Sequence, residues 1–221
     1  MFRWVLVCLL LAAAAFSGTL HVYHTQFANL PAQVPIHWGA DGRADGFVPR
    51  QEILPYWLIM PGVMGLMALL IPLLPWLSPK QFEVDRSKTV YGSVIVLATA
   101  LLGYLHAVIL GASFEPMFPM ARWFMGGFGL FFALLGLVIG KVQRNFWIGV
   151  RTPWTLANEE VWDRTHRMAA GLFVAAGLVA LAAGLLNLPW YVGFAGIIAA
   201  ALAPVIYSLV LYKQLQRQGR V

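Results

Sequence analysis

The chain is short of charge. Asp, Glu, Lys and Arg make up 11 % of its 221 residues, and nine acidic side chains face fifteen Lys and Arg. With 60 % hydrophobic residues and a mean hydropathy of +0.74, that scarcity excludes an ordinary water-soluble domain. There is one cysteine, Cys8, which excludes an intramolecular disulfide and a cysteine-based zinc site. It lies inside an apolar run, where it reads as a small apolar residue of a helix. The chain has no glycine-rich phosphate loop, no HExxH, no GxSxG and no paired aspartates within an apolar run. No enzyme template and no cofactor is therefore called. Arg151, Thr152, Thr155, Glu160, Asp163 and His166 form a set with acid–base capacity, but polar residues are ordinary at a membrane boundary. The two halves show no internal repeat, which counts against a transporter built from inverted repeats.

What the chain has in quantity is apolar runs. A helix needs roughly 20 apolar residues to cross the bilayer core, and six stretches qualify: Trp4–Leu20, Pro55–Leu77, Val90–Gly111, Trp123–Gly140, Met168–Leu186 and Trp190–Tyr212. The fold class is an all-α polytopic membrane protein with six transmembrane helices. The first run reads as a retained span rather than a cleaved signal, because Ala12–Ala15 merges into it and five more spans follow. Two parts are expected: residues 1–80, a two-helix membrane unit with a long external loop, and residues 81–221, a four-helix membrane unit whose loop 141–167 carries most of the polar residues.

Flanking charge sets the orientation. Arg3, the Lys80–Lys88 group, the Lys141–Arg167 group and the last three cations fall on one side, twelve in all. Arg43, Arg50 and Arg122 fall on the other. Both termini and loop 141–167 are therefore expected in the cytoplasm. The basic balance reflects orientation first and attraction to anionic headgroups second; direct nucleic-acid binding is not supported. Tyr and Trp at span ends, among them Trp57, Tyr91, Trp123 and Trp190, read as interfacial belts.

Between the first two runs, Pro31, Pro35 and Pro49 with Gly39, Gly42 and Gly46 predict turns and a small ordered extracytoplasmic lid around Ile36-His37-Trp38. That lid is either a binding surface or a cover for the bundle. Asp41–Gly46 is turn chemistry rather than a calcium loop, since the terminal Glu is missing. His21, His24 and His37 read as interfacial histidines rather than metal ligands. Pro61 and Pro72 kink the second span, either shaping a cavity or fitting it to its neighbours. His106 is the one ionisable residue well inside a span, and such groups usually face the bundle interior. Glu115 is a candidate partner for Arg122. Gly136, Gly140, Ala176, Ala180 and Gly184 place small residues four apart, so the fourth and fifth spans are expected to pack closely. That spacing fits contact within one chain and a homodimer alike.

The most informative stretch is Asn145–Trp162, NFWIGVRTPWTLANEEVW. Gly149 permits positive φ or close backbone approach, Pro153 fixes φ and moves Thr152 out of the helical region, and Asn158 is the expected N-cap of a helix with Glu159 and Glu160 in its first turn. Arg151, between Gly149 and Pro153, is expected to be partly buried, to pair with Glu160 and Asp163, and to stack on Trp154 or Trp162.

This stretch resembles the signature of the SdpI family of bacterial membrane proteins, whose named members are immunity proteins against a secreted toxic peptide. Leu30–Phe47, LPAQVPIHWGADGRADGF, resembles the short domain of unknown function that often forms their N-terminal half. The resemblance implies a non-enzymatic immunity or sensor protein of the bacterial cytoplasmic membrane. It would engage a peptide toxin at the outer face and hold a small transcriptional repressor at the cytoplasmic face. The candidate binding residues are Asn145, Gly149, Arg151, Thr152, Pro153, Trp154, Thr155, Glu160, Trp162 and His166 in the signature segment, with His37 and Trp38 in the external loop. A transporter or exporter of a peptide or lipid-like molecule stays open as the alternative.

Overall fold

The structure is a computed structural model that describes residues 1–39, 42–78, 88–115 and 117–221. Asp41, at the head of the predicted turn, and Lys80 and Arg86 of the inner-side charge group lie outside the described residues.

The six runs form six membrane-length helices. They are α1 (Phe2–Gln26), α2 (Ile53–Trp76), α3 (Lys88–Ala112), α4 (Met120–Ile139), α6 (Glu159–Leu185) and α7 (Trp190–Arg217), with a short α5 (Pro153–Ala157) in the signature segment. The long helices exceed the apolar runs at several ends, most at the start of α6, which begins at Glu159 rather than Met168, because polar residues extend a helix into the headgroup region once the core-spanning part is formed. The first turn of α6 matches expectation: the Asn158 side chain accepts from the Val161 N–H, with Glu159 and Glu160 beside it.

Between α1 and α2 the chain does more than turn. Strands β1 (Gln33–Trp38) and β2 (Ala44–Pro49) pair antiparallel, with Val34 opposite Val48. These two valines, with Leu30, Ile53 and Trp57, form a buried cluster at this end of the bundle. A two-stranded ribbon is all edge, so Pro35 and Pro49 cost it no central ladder bond. The register shifts on either side of His37, a bulge that re-aims this side chain. Trp57 is not a belt residue: it is 2 % exposed and donates Nε1–H to Ser113 Oγ at 3.2 Å. Tyr91, also read as a belt residue, is equally buried.

Packing runs α1 and α2 against α3, α3 against α4, α4 against α6, and α6 against α7. The α4–α6 seam is backbone against backbone. A Cβ on Gly129 would stand 2.3 Å from the Leu181 nitrogen, and one on Gly177 would stand 2.3 Å from the Ala133 nitrogen. The small residues of the fourth and fifth spans thus meet within one chain, by the close approach that only glycine permits. α1 and α3 are joined deep in the bundle, where Thr19 Oγ1 lies 2.6 Å from Nε2 of fully enclosed His106, and Thr99 donates to Cys8 Sγ at 3.5 Å. His106 therefore faces the interior, as an ionisable group in a span must. Glu115 and Arg122 form no ion pair among the described residues.

Candidate functional site

The candidate residues fall into two groups at opposite ends of α1. Trp147 and Ile148 pack with Met1, Trp4 and Val5, whereas the hairpin packs with Val22, Tyr23 and Phe27. Some twenty helical residues separate these ends, about 30 Å at 1.5 Å per residue. Arg220 pairs with Glu160 at 2.7 Å, so both termini lie at the signature end.

The signature segment is built around two enclosed polar side chains. Asn145 is 4 % exposed, and its amide uses all its capacity on a local loop. Nδ2 donates to the Gln143 carbonyl at 2.9 Å and the Ile148 carbonyl at 3.1 Å. Oδ1 accepts from the N–H groups of Trp147 and Ile148 at 2.7 and 2.8 Å. His166, fully buried on α6, reaches across to the same loop. Its Nε2 accepts from the Val150 N–H at 2.9 Å, which leaves Nδ1 to donate to the Trp162 carbonyl at 2.8 Å. Both ring nitrogens are satisfied in one neutral tautomer.

Gly149 sits against that ring. Its φ is +114°, and a Cβ there would stand 2.2 Å from His166 Nε2, so positive φ and close approach are both required. Trp162, fully buried, stacks on the His166 ring at 4.1 Å between centroids and donates to the Val142 carbonyl at 2.8 Å. These bonds lock the loop to α6.

Thr152 and Thr155 then close a reciprocal cap around α5, with Pro153 at its first turn. The Thr155 hydroxyl also lies 2.8 Å from the Val150 carbonyl, which carries the cap back to the His166 contact. Trp154 donates Nε1–H to buried Ser208 on α7, tying the segment to the last span. Eight of the ten signature candidates, all but Arg151 and Glu160, thus belong to one connected structure, and Ser208 and Val142 belong to it as well. Those two were not legible because Ser208 sits on α7, Val142 precedes the Asn145–Trp162 stretch, and neither carries a motif.

Arg151 is the exception to its expected place. It is exposed, and its Nη1 donates to the Phe146 carbonyl at 2.5 Å. Glu160 is held instead by Arg164, one turn along α6, and by Arg220. Neither tryptophan stacks on Arg151: one lies on His166 and the other is turned to Ser208. The expected network failed because closer or better-aligned cations took Glu160, and the Gly149 turn aims the guanidinium along its own loop.

At the other end, the hairpin covers a cavity of about 430 Å³. Ile36, His37 and Trp38 line it from β1, Ile109 from α3, Met120, Phe124 and Met125 from α4, and Trp190 from the start of α7. Gly42, at φ +77°, lets the hairpin turn approach Ala121 closely. The lining is apolar apart from the rim, where His37 Nδ1 lies 2.5 Å from Asp45 Oδ1, both side chains well exposed. A volume of this size suits one or two large apolar side chains of a visiting molecule, and aromatic and Met walls suit adaptable apolar contacts. Sequence reasoning found His37 and Trp38 but read Trp190 as a belt residue; only the folded hairpin puts the two tryptophans around one space.

Comparison with known proteins finds two family matches, one in each half of the chain. Residues 141–208 match the SdpI/YfhL protein family, and residues 5–65 match a domain of unknown function, DUF1648. "Immunity protein SdpI" of Bacillus subtilis (strain 168) is 23 % identical over 174 residues, which cover 79 % of this chain and 78 % of that relative. No solved structure matches.

Proposed function

We propose that this SdpI/YfhL family membrane protein is an immunity or sensor protein of the bacterial cytoplasmic membrane that engages a secreted antimicrobial peptide at its outer face. The observation that carries the reading is the 430 Å³ apolar cavity beneath the hairpin. Its position follows from charge: with the cation-rich end inside, the hairpin end meets anything arriving from outside. Binding rests on burial of an apolar segment of the peptide between Trp38, Phe124 and Trp190. Each large aromatic contact contributes about 1–3 kcal/mol. The exposed His37–Asp45 pair at the rim supplies polar orientation.

The cytoplasmic half of the proposal concerns the signature segment. Its enclosed residues, Asn145, Trp162 and His166, hold a rigid platform, and its exposed ones, among them Arg151 and Pro153, are free to meet a small transcriptional repressor. Rigidity suits a docking surface, because little ordering entropy remains to be lost on association. Function in this reading is binding, with no chemical step assigned to any residue. The name of the Bacillus subtilis relative favours immunity over export.

The test is replacement of His37 and Trp38 by Ala in a toxin-sensitive bacterium that expresses the chain and is challenged with secreted membrane-active peptides. Protection should fall while the amount of protein in the membrane is unchanged. Full protection by the double variant means that the hairpin is only a cover.

A further inference from the structure

A second apolar feature, separate from the hairpin cavity, runs down the outside of the bundle. Two depressions, of about 230 and 110 Å³, share Tyr104, Gly127 and Leu130. The first begins at Arg122 and Trp123 and lies between α4 and the Gly184 end of α6. The second continues to Leu97, Leu101 and Leu134 between α3 and α4. Trp123, Leu130, Leu134 and Leu185 in this lining are all exposed large apolar residues, so the groove faces the lipid. Arg122 to Leu134 is twelve residues, about 18 Å along a helix, close to the roughly 15 Å hydrocarbon depth of one leaflet.

The groove has a built floor and a charged mouth. A Cβ on Gly126 would meet nothing within 4 Å, whereas one on Gly127 would meet the Tyr104 ring at 2.3 Å. The first glycine leaves the channel open, and the second lets the Tyr104 ring come up close against α4. Tyr104 is fixed there by donating to the Trp123 carbonyl at 2.9 Å. Arg122 is exposed at the headgroup end, and among the described residues no carboxylate or carbonyl takes its guanidinium. An unengaged fork of five donors at headgroup depth, above a leaflet-long apolar groove, is complementary to one kind of occupant.

We propose that this α3–α4–α6 groove holds one anionic phospholipid of the leaflet on the hairpin side. Its phosphate sits on Arg122, and one acyl chain lies over Gly126 and past Leu130 toward Leu134. The lipid fills a groove that the helices leave open and braces the glycine-rich α4–α6 seam from outside. The site is independent of toxin binding, and it takes the leaflet from the hairpin whichever way the chain faces.

Native mass spectrometry of the detergent-purified protein, with dioleoylphosphatidylglycerol or dioleoylphosphatidylcholine added, tests the assignment. One phosphatidylglycerol should be retained over phosphatidylcholine by about fivefold, the factor that a single cation confers at an anionic lipid. Arg122→Gln should abolish that preference while leaving some retention of both lipids. Gly126→Leu and Leu101→Trp, which fill the groove from two different walls, should each abolish retention with the melting temperature kept. Retention of phosphatidylglycerol that survives both groove-filling variants, or that shows no preference in the unaltered protein, overturns the proposal. A folded Arg122→Gln protein that keeps the full preference overturns the role of Arg122 as anchor.

Discussion

Replacing Gly149 by Ala introduces one methyl group, and the structure gives it nowhere to go. The backbone there has φ +114°, and the new Cβ would stand 2.2 Å from Nε2 of His166. Two penalties add. A side chain held at that φ costs about 1–3 kcal/mol. Pushing the ring aside also separates His166 Nε2 from the Val150 N–H, now 2.9 Å apart, in an enclosed setting where an unmade bond costs about 1–3 kcal/mol.

The expected loss is therefore about 2–6 kcal/mol, measured as unfolding free energy in detergent micelles. His166→Ala separates the two parts, because the ring that obstructs the methyl is gone. In that background Gly149→Ala should cost only the backbone part, about 1–3 kcal/mol, so the two substitutions should be strongly non-additive. A loss below about 0.5 kcal/mol for Gly149→Ala alone, a change of the size expected at an unconstrained surface position, would refute the argument. So would equal losses in the two backgrounds.

Two further outcomes follow from the packing and the charge. Gly177→Leu drives a side chain into the α4 backbone, where a Cβ already stands 2.3 Å from the Ala133 nitrogen. It should abolish recovery of folded protein, while Gly171→Leu on the same helix, whose Cβ meets nothing within 4 Å, should leave recovery unchanged; size-exclusion profiles in detergent decide between them. For orientation, a Cys8→Ser protein with a single cysteine at Ala44 should react with a membrane-impermeant thiol reagent in outer-permeable cells, and one at Ala157 only after lysis. The reverse pattern would turn the whole assignment of faces over.

The six spans were legible because each is a long apolar run, and a bilayer admits only a helix for such a run when no barrel pattern is present. The α4–α6 seam was legible too, since glycine and alanine at fourfold spacing carry information only about close backbone approach. The Asn158 cap was readable for a local reason: its bond lies within three residues. The hairpin was not readable, because Pro35, Gly46 and Pro49 advertise turns, and a ribbon with no interior strand tolerates them.

Helix α5 was hidden in the same way, although the Thr152–Thr155 spacing of a reciprocal cap was present in the text of the chain. Arg151 shows the limit most clearly. Flanking glycine and proline describe the backbone, while the direction of a long side chain depends on competitors such as Arg220, sixty residues from Glu160. The hairpin cavity is assembled from β1, α3, α4 and α7, and no local pattern could announce it.

Occlusion of that cavity tests the proposed function most directly, because it adds bulk without removing a packed side chain. Ala121 lines the space opposite the hairpin turn, and Ala121→Trp fills part of it from the α4 side. Protection of a sensitive bacterium against a panel of secreted membrane-active peptides is measured for the unaltered chain and for Ala121→Trp, at matched membrane levels and melting temperatures. The account predicts protection against at least one peptide by the unaltered chain, and its loss in Ala121→Trp. Equal protection by the occluded protein would contradict it.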